Sequence, residues 1–389
     1  MEIGSIYEMN PNCIEKLNSN QRESLCLKEV DKYGRKNTAY TASAREAISL
    51  ALISMEKEYP SVSKKCLMPG YMCDTVFIPF VKAGWELCFY HIDKNMKADR
   101  EELEALIWDE QPGLLFIHDY YGLDTWKELR LFLSQCRHKN ILIMEDVTQA
   151  YYLNVDTEAD YVIGSLRKWY AVPDGGFVTT NHTISGEVIV KDDTFAMERF
   201  GMLSKKWDYL EEIQDLEGSL NDISIKQLQK QKEEYLTHNR KLEERLDNYE
   251  QITRISALSQ RLLAETEEEN CKKRRSENYC ILQEGLKNKK SLTPVMENYE
   301  EKALKNVYDA VPLYFPVYMK NREAMQEYLR RQDIYVPVLW PVGKENADLL
   351  SNDEEYIFSH IAAIPMDQRY GKEEMEHILE VIDEYESSL

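Results

Sequence analysis

The stretch that decides the fold is 141-ILIMEDVTQA-150, followed closely by 159-ADYVIGSLRKWYAVPDGGFVTT-180. Ile141-Leu142-Ile143-Met144 is a short apolar run that ends in two acids, Glu145 and Asp146, and turns toward Gln149. Tyr161-Val162-Ile163 is a second such run; it ends at Gly164-Ser165, Lys168 stands three residues on, and Gly175-Gly176 opens another strand pattern. Apolar runs of this length between turn residues read as strands buried on both faces. Working outward, the pattern recurs at Cys66-Leu67-Met68, Leu87-Cys88-Phe89-Tyr90 and Leu114-Leu115-Phe116-Ile117, with amphipathic segments such as DTWKELRLFLSQCRHK between runs. SAREAISLALISM has apolar residues at Ala47, Ile48, Leu50, Ala51 and Leu52 behind Ser43, whose hydroxyl suits a helix N-cap. Strands alternating with helices predict an α/β chain with a mostly parallel, doubly covered sheet. In such a sheet a ligand binds beyond the carboxyl ends of the strands.

From about residue 220 to 285 the texture changes to long, charged, helix-favouring sequence, IKQLQKQKEEYLTHNRKLEERLDNYE and then LLAETEEENCKKRRSENYCILQEGL. These charge runs read as solvated helix faces. Residues 310–340 return to strand character (VPLYFPVYM, DIYVPVLW), and the tail is helical. A boundary near residue 245 divides the chain into a large N-terminal unit, 1–245, and a small C-terminal α/β unit, 246–389.

Of the 389 residues 43% are hydrophobic and 30% charged, as expected of a globular chain with one large and one smaller domain. Forty-eight basic residues against 69 acidic ones leave a formal charge of −21, a surface that repels nucleic acid and anionic membranes. No stretch approaches the roughly 20 apolar residues of a membrane span. The opening MEIGSIYEMN lacks the basic-then-apolar pattern of a secretory signal. The eight cysteines are scattered without a CxxC pair, and no His stands at a matching spacing beside Cys66 and Cys73. They read as reduced thiols of a cytoplasmic protein, with no metal site expected.

Three segments carry chemistry together: the strand end at Asp146 with Gln149 beyond it, the turn from Ser165 to Lys168, and Ser43-Ala44-Arg45 at a helix N-terminus. Singly, each has a plain structural reading: Lys168 as a surface lysine, Asp146 as a helix cap, Gly175-Gly176 as a turn. Together they are the set that pyridoxal phosphate (PLP) requires. A carboxylate must hold the ring nitrogen protonated. A lysine must be neutral often enough to add to the aldehyde. Free backbone N–H groups at a helix N-terminus suit a phosphate.

From about residue 40 to its end, the sequence resembles the DegT/DnrJ/EryC1/StrS family of PLP-dependent sugar aminotransferases. TASAREAISLAL is similar to the family's phosphate-binding turn, with Ala44-Arg45 where Gly-Thr normally stands. EDVTQA matches its EDxAQA segment, SLRKWYAVPDGGFVTT its Schiff-base segment, and LLFIHDYYGLDTW its HxYG segment. The resemblance implies fold type I, the aspartate-aminotransferase-like fold, with a large domain on a mixed, mostly parallel sheet and a small C-terminal domain. It implies a Schiff base on Lys168, Asp146 at the ring nitrogen, Gln149 beside the ring, and Ser43, Ala44, Arg45 and Ser165 at the phosphate. The family's aromatic stacking position aligns with Cys73, so Tyr71, two residues earlier, is the expected substitute. The family's strand-end His aligns with Asp119, and His118 is one place off. Ser165 stands three residues before the lysine instead of the usual five.

The implied activity is a ping-pong transfer of an amino group from glutamate or glutamine to a keto acceptor, usually a nucleotide-linked keto sugar, by a homodimer with shared active sites. The alternatives are a PLP-dependent lyase or dehydratase on the same scaffold and a non-catalytic PLP-fold binding protein. Dehydratase members carry His where this chain has Lys168. Arg199 and Arg369 are candidate contacts for a carboxylate or phosphate, with an ordinary structural role as the alternative.

Overall fold

The computed structural model describes residues 2–14, 33–153, 158–216, 222–295 and 311–389. In chain order the strands are β1 (Ile3–Gly4), β2 (Asn37–Thr41), β3 (Lys65–Pro69), β4 (Glu86–Tyr90), β5 (Leu114–His118), β6 (Leu142–Asp146), β7 (Tyr161–Ser165) and β8 (Gly176–Thr180). They continue with β9 (Leu292–Pro294), β10 (Phe315–Met319), β11 (Ile334–Tyr335) and β12 (Ile361–Ile364). With Ile141 just ahead of β6, the five apolar runs between residues 66 and 163 fall on β3 to β7. These form a seven-stranded sheet with β2 and β8, in the order β2-β8-β7-β6-β5-β3-β4. Strands β4, β3, β5, β6 and β7 pair parallel, whereas β8 runs antiparallel to both β7 and β2. The mixed, mostly parallel sheet expected from the sequence is therefore present.

Side chains alternate across this sheet with the strand period of two. Cys66, Met68, Leu114, Phe116, Leu142, Met144, Tyr161 and Ile163 pack on one face with the helix Ala44–Glu58. Leu67, Leu115, Ile117, Ile143 and Val162 point to the other, where Phe132, Leu133 and Cys136 of the helix Arg130–His138 cover them. Both faces are dry, which explains why these strands carry unbroken apolar runs instead of an alternating pattern.

The C-terminal part has its own core. Strands β12, β10 and β9 form an antiparallel sheet packed by the helices Glu268–Gly285, Arg322–Arg331 and Lys372–Ser387, with Leu282, Val317, Leu329, Ile364 and Ile378 fully buried. The N-terminus joins this part: β1 pairs parallel with β11, and Ile3 lies in the same core. The run DIYVPVLW, expected to be a strand, yields only Ile334–Tyr335. Pro337 has no N–H to offer a ladder, so pairing stops before it; its carbonyl still accepts from Ala363 N–H at 3.1 Å.

One contact couples the sheet to the helix that opens the site. Ser43 caps Ala44–Glu58, accepting from Glu46 N–H at 3.3 Å. The first residue of β8, Gly176, lies so close that a Cβ there would sit 2.2 Å from the Ser43 carbonyl carbon and 2.5 Å from Ala44 N. Backbone cannot yield as a flexible side chain can. Gly176→Ala is therefore expected to lower unfolding free energy by about 2–3 kcal/mol, read as a shifted urea midpoint with an unchanged slope. An unshifted midpoint would contradict this close packing.

Candidate active site at the carboxyl edge of the sheet

Parallel pairing brings the carboxyl ends of β5, β6 and β7 to one edge. In register, His118 lies opposite Asp146, and Asp146 opposite Ile163. Both His118 and Asp146 are buried, and His118 Nδ1 stands 3.2 Å from Asp146 Oδ2. Asp146 Oδ1 accepts from Thr148 N–H at 2.8 Å, which fixes the carboxylate on its own turn. Gln149 is also buried, and its Oε1 accepts from Tyr121 N–H at 2.8 Å. Tyr121 has φ of 57°, a left-handed conformation unusual for a bulky residue, and the Gln149 bond helps to hold it. The Trp169 indole Nε1–H donates to Thr148 O at 2.9 Å, tying the turn after Lys168 to the turn after Asp146.

Tyr71 is fully buried within an aromatic block. Its ring lies 5.6 Å from Tyr120, 4.9 Å from Trp340 and 5.0 Å from Phe358, and its hydroxyl meets that of Tyr121 at 3.1 Å. His118 borders the same block, 4.8 Å from Tyr120 and 5.5 Å from Trp340. Tyr71 could cover a cofactor ring only if one of these neighbours moved aside.

Past Ser165 a short turn, Leu166–Lys168, carries two cations. Lys168 opens into a cavity of about 590 Å³. Its side chain is exposed, standing open to that cavity, while the protein atoms packed around the turn still weigh on its amine. Burial pushes its amine below the ordinary lysine range; Arg167 and Arg45 act in the same direction, while Cys73 and Glu243 oppose them. Arg45 Nη1 pairs with Asp247 at 2.7 Å. Arg167 Nη2 and Arg199 Nη2 both meet one oxygen, Oε1, of Glu243. Burial alone would raise the Glu243 carboxyl, but Arg167 and Arg199 outweigh it and hold it at about 2.

The other expected residues gather without lining the cavity. Ser165 pairs with Gly176, and Gly176 abuts Ser43, so the two serines and the N-terminus of Ala44–Glu58 converge on one strand end. The Ser43 hydroxyl is engaged locally, donating to Glu46 Oε2 at 2.9 Å. Of the eight residues expected at the site, Lys168 lines the cavity; Arg199 and Arg369 also do. Arg369 is held by Asp367 at 2.8 Å and Glu8 at 2.9 Å. The sequence reading missed Arg167 and Glu243. Arg167 adjoins Lys168 and could have been flagged; Glu243 stood within a charge run assigned to solvent. It also aligned Asp119 with the strand-end position, yet His118 is the residue that touches Asp146. Asp119 faces Glu145 instead, and burial drives its carboxyl well above the usual range.

No family model matches the sequence, and no curated protein does. Solved structures match over nearly the whole chain. Helicobacter pylori PseC, an aminotransferase involved in pseudoaminic acid biosynthesis, is 13% identical with a TM-score of 0.65, covering all of both chains. A DegT DnrJ EryC1 StrS aminotransferase from Brucella abortus is 15% identical with a TM-score of 0.61, over 98% of this chain and 91% of that one. The Bacillus subtilis protein ntda, solved with bound cofactor PMP, is 13% identical with a TM-score of 0.62, over 98% of this chain and 78% of that one. At such identities the likeness establishes the fold: this chain has the fold of these aminotransferases.

The surroundings of Lys168 make a measurable statement. Its amine should acylate with an inflection below the ordinary lysine range, followed by peptide mass spectrometry across pH. Arg167→Gln removes an adjacent positive charge and leaves Glu243 less neutralised, and both changes favour the protonated amine. The inflection should therefore move upward in that variant. An ordinary lysine inflection in both proteins would contradict the assignment.

Proposed function

We propose that this chain is a PLP-dependent aminotransferase of the DegT/DnrJ/EryC1/StrS type. In this reading it moves an amino group from glutamate or glutamine to a keto acceptor, a nucleotide-linked keto sugar, by a ping-pong exchange. The observation that carries the proposal is Lys168: an amine shifted toward its neutral form at the wall of a 590 Å³ cavity, one strand away from a buried, anchored carboxylate.

The residues fit the cofactor. Arg45 Nε is buried without a hydrogen-bond partner, at a helix N-terminus whose N–H groups suit a phosphate. Ser43, Ala44, Arg45 and Ser165 would hold that phosphate, Asp146 the ring nitrogen, Gln149 one flank of the ring, Tyr71 the other once an aromatic neighbour moves aside, and Lys168 the covalent attachment. When bound, PLP supplies an electron sink for charge developing beside the amino-bearing carbon. Lys168 Nζ takes the proton from that carbon and returns it, and burial favours the neutral amine this requires. The Thr148 N–H keeps the aim of the Asp146 carboxylate, with His118 Nδ1 standing 3.2 Å from its other oxygen. Five arginines (Arg167, Arg199, Arg275, Arg330 and Arg369) and two carboxylates (Glu243 and Asp367) line the cavity beside Lys168. An anionic acceptor is therefore drawn in although the whole chain is acidic.

The division at residue 245, a homodimer with shared sites and a cytoplasmic location belong to the same reading. Among the described residues, no helix is long and apolar enough to cross a membrane.

The test is spectroscopic. In PLP-loaded protein, glutamate or glutamine should deplete the PLP absorbance, and a nucleotide-linked keto sugar should restore it. Lys168→Ala should abolish the cycle. Asp146→Asn, which keeps shape and removes charge, should slow it by about two to three orders of magnitude, at roughly 1.4 kcal/mol of barrier per tenfold. An Asp146→Asn variant at wild-type rate would place the pairing carboxylate elsewhere.

A further inference from the structure

The ion pair at Glu243 is arranged unlike a settled structural salt bridge. Arg199 is 6% exposed, and it lines the cavity that Lys168 enters. Its Nη2 meets Glu243 Oε1 at 2.5 Å, while its Nε and Nη1 have no hydrogen-bond partner. Arg167 repeats the pattern: Nη2 meets the same Oε1, and its Nε is idle. A guanidinium binds a carboxylate best through a two-nitrogen edge, with each oxygen taking one N–H. Here one oxygen serves two guanidiniums, and neither edge is filled.

The occupant is also poorly placed on its own helix. Glu243 lies about one turn from the C-terminus of Asp222–Asp247, where helix carbonyls disfavour a negative charge. Asp247, one turn further on, pairs with Arg45. Among the described residues Glu243 is paired by the two arginines, with Lys168 adding to its hold, and burial and Arg167 together push Arg199 down to about 10. If Glu243 withdraws, Nη2 of each arginine is freed, and each then presents a complete two-nitrogen edge toward the cavity.

We propose that Arg167 and Arg199 form the carboxylate subsite for the amino donor, with Glu243 as its resident occupant, displaced when the donor's carboxylate enters. The inference rests on the aminotransferase reading for the identity of the donor. A two-nitrogen edge takes carboxylate and phosphate oxygens alike; the choice of a carboxylate rests on the resident occupant, Glu243, being one. Glu243 thereby sets a threshold: weak or singly contacting anions do not dislodge it, and a carboxylate that takes both edges does.

Calorimetric titration of the PLP-loaded protein tests this, with 2-oxoglutarate and inorganic phosphate as separate probes. Glu243→Gln keeps the shape and removes the competing charge, so it should tighten 2-oxoglutarate binding about tenfold. Arg199→Met should weaken it at least tenfold. Arg199→Lys keeps charge without the planar fork and should also weaken it, which covers the case of a poorly folding Met variant. Phosphate affinity should change little in all three. An unchanged 2-oxoglutarate affinity in the Arg199 variants and Glu243→Gln would overturn the proposal. So would phosphate following the same pattern, which would make this a phosphate site. Because the readout is binding, it stands apart from transamination: a protein that binds 2-oxoglutarate as described but fails the spectroscopic cycle refutes the activity and leaves the subsite in place.

Discussion

Parallel pairing in register is the constraint on which the rest of this structure depends. Once β5, β6 and β7 run the same way, their last residues must share one edge, and chemistry spread over 47 positions from His118 to Ser165 becomes local. The antiparallel strand β8 completes the arrangement from the opposite direction. It begins where β7 ends, and its first residue, Gly176, lets the N-terminus of Ala44–Glu58 settle against the same edge. A carboxylate, a lysine-bearing turn and a helix N-terminus are thus assembled by backbone geometry before any side chain is chosen.

Electrostatics then divides this edge into two environments. Around Asp146 the surroundings are aromatic and dry, with His118, Tyr120 and Trp340 close by. Around Lys168 they are crowded with cations that share Glu243 and Asp247. The first environment keeps a carboxylate fixed, and the second weakens an amine's hold on its proton. A net charge of −21 over the whole chain does not contradict a cationic cavity, because short-range pairing decides the local field.

The sheet was legible because burial on both faces writes itself as unbroken apolar runs, and the five runs between residues 66 and 163 became its parallel strands. The limits of that reading are equally physical. DIYVPVLW has the composition of a strand, but Pro337 ends the pairing after Tyr335. Tyr71 is still proposed at the cofactor from its spacing to Cys73, but spacing carries no information about Tyr120, Trp340 and Phe358, which come from distant segments and pack against it. Glu243 lay in a charge run whose simplest reading is solvation, and only the packing of its helix against Arg167 and Arg199 turns one carboxylate toward the cavity. The i,i+4 spacing of Glu243 and Asp247 places both acids on one helix face, a signal visible in the sequence although its target was not.

The central claim is that Lys168 is the residue to which PLP attaches. Borohydride reduction of the protein purified with PLP, followed by peptide mass spectrometry, measures this directly. The account predicts a single pyridoxyl group on the peptide containing Leu166-Arg167-Lys168-Trp169, absent from Lys168→Ala. A pyridoxyl group on any other lysine, or none on the wild-type protein, would contradict it.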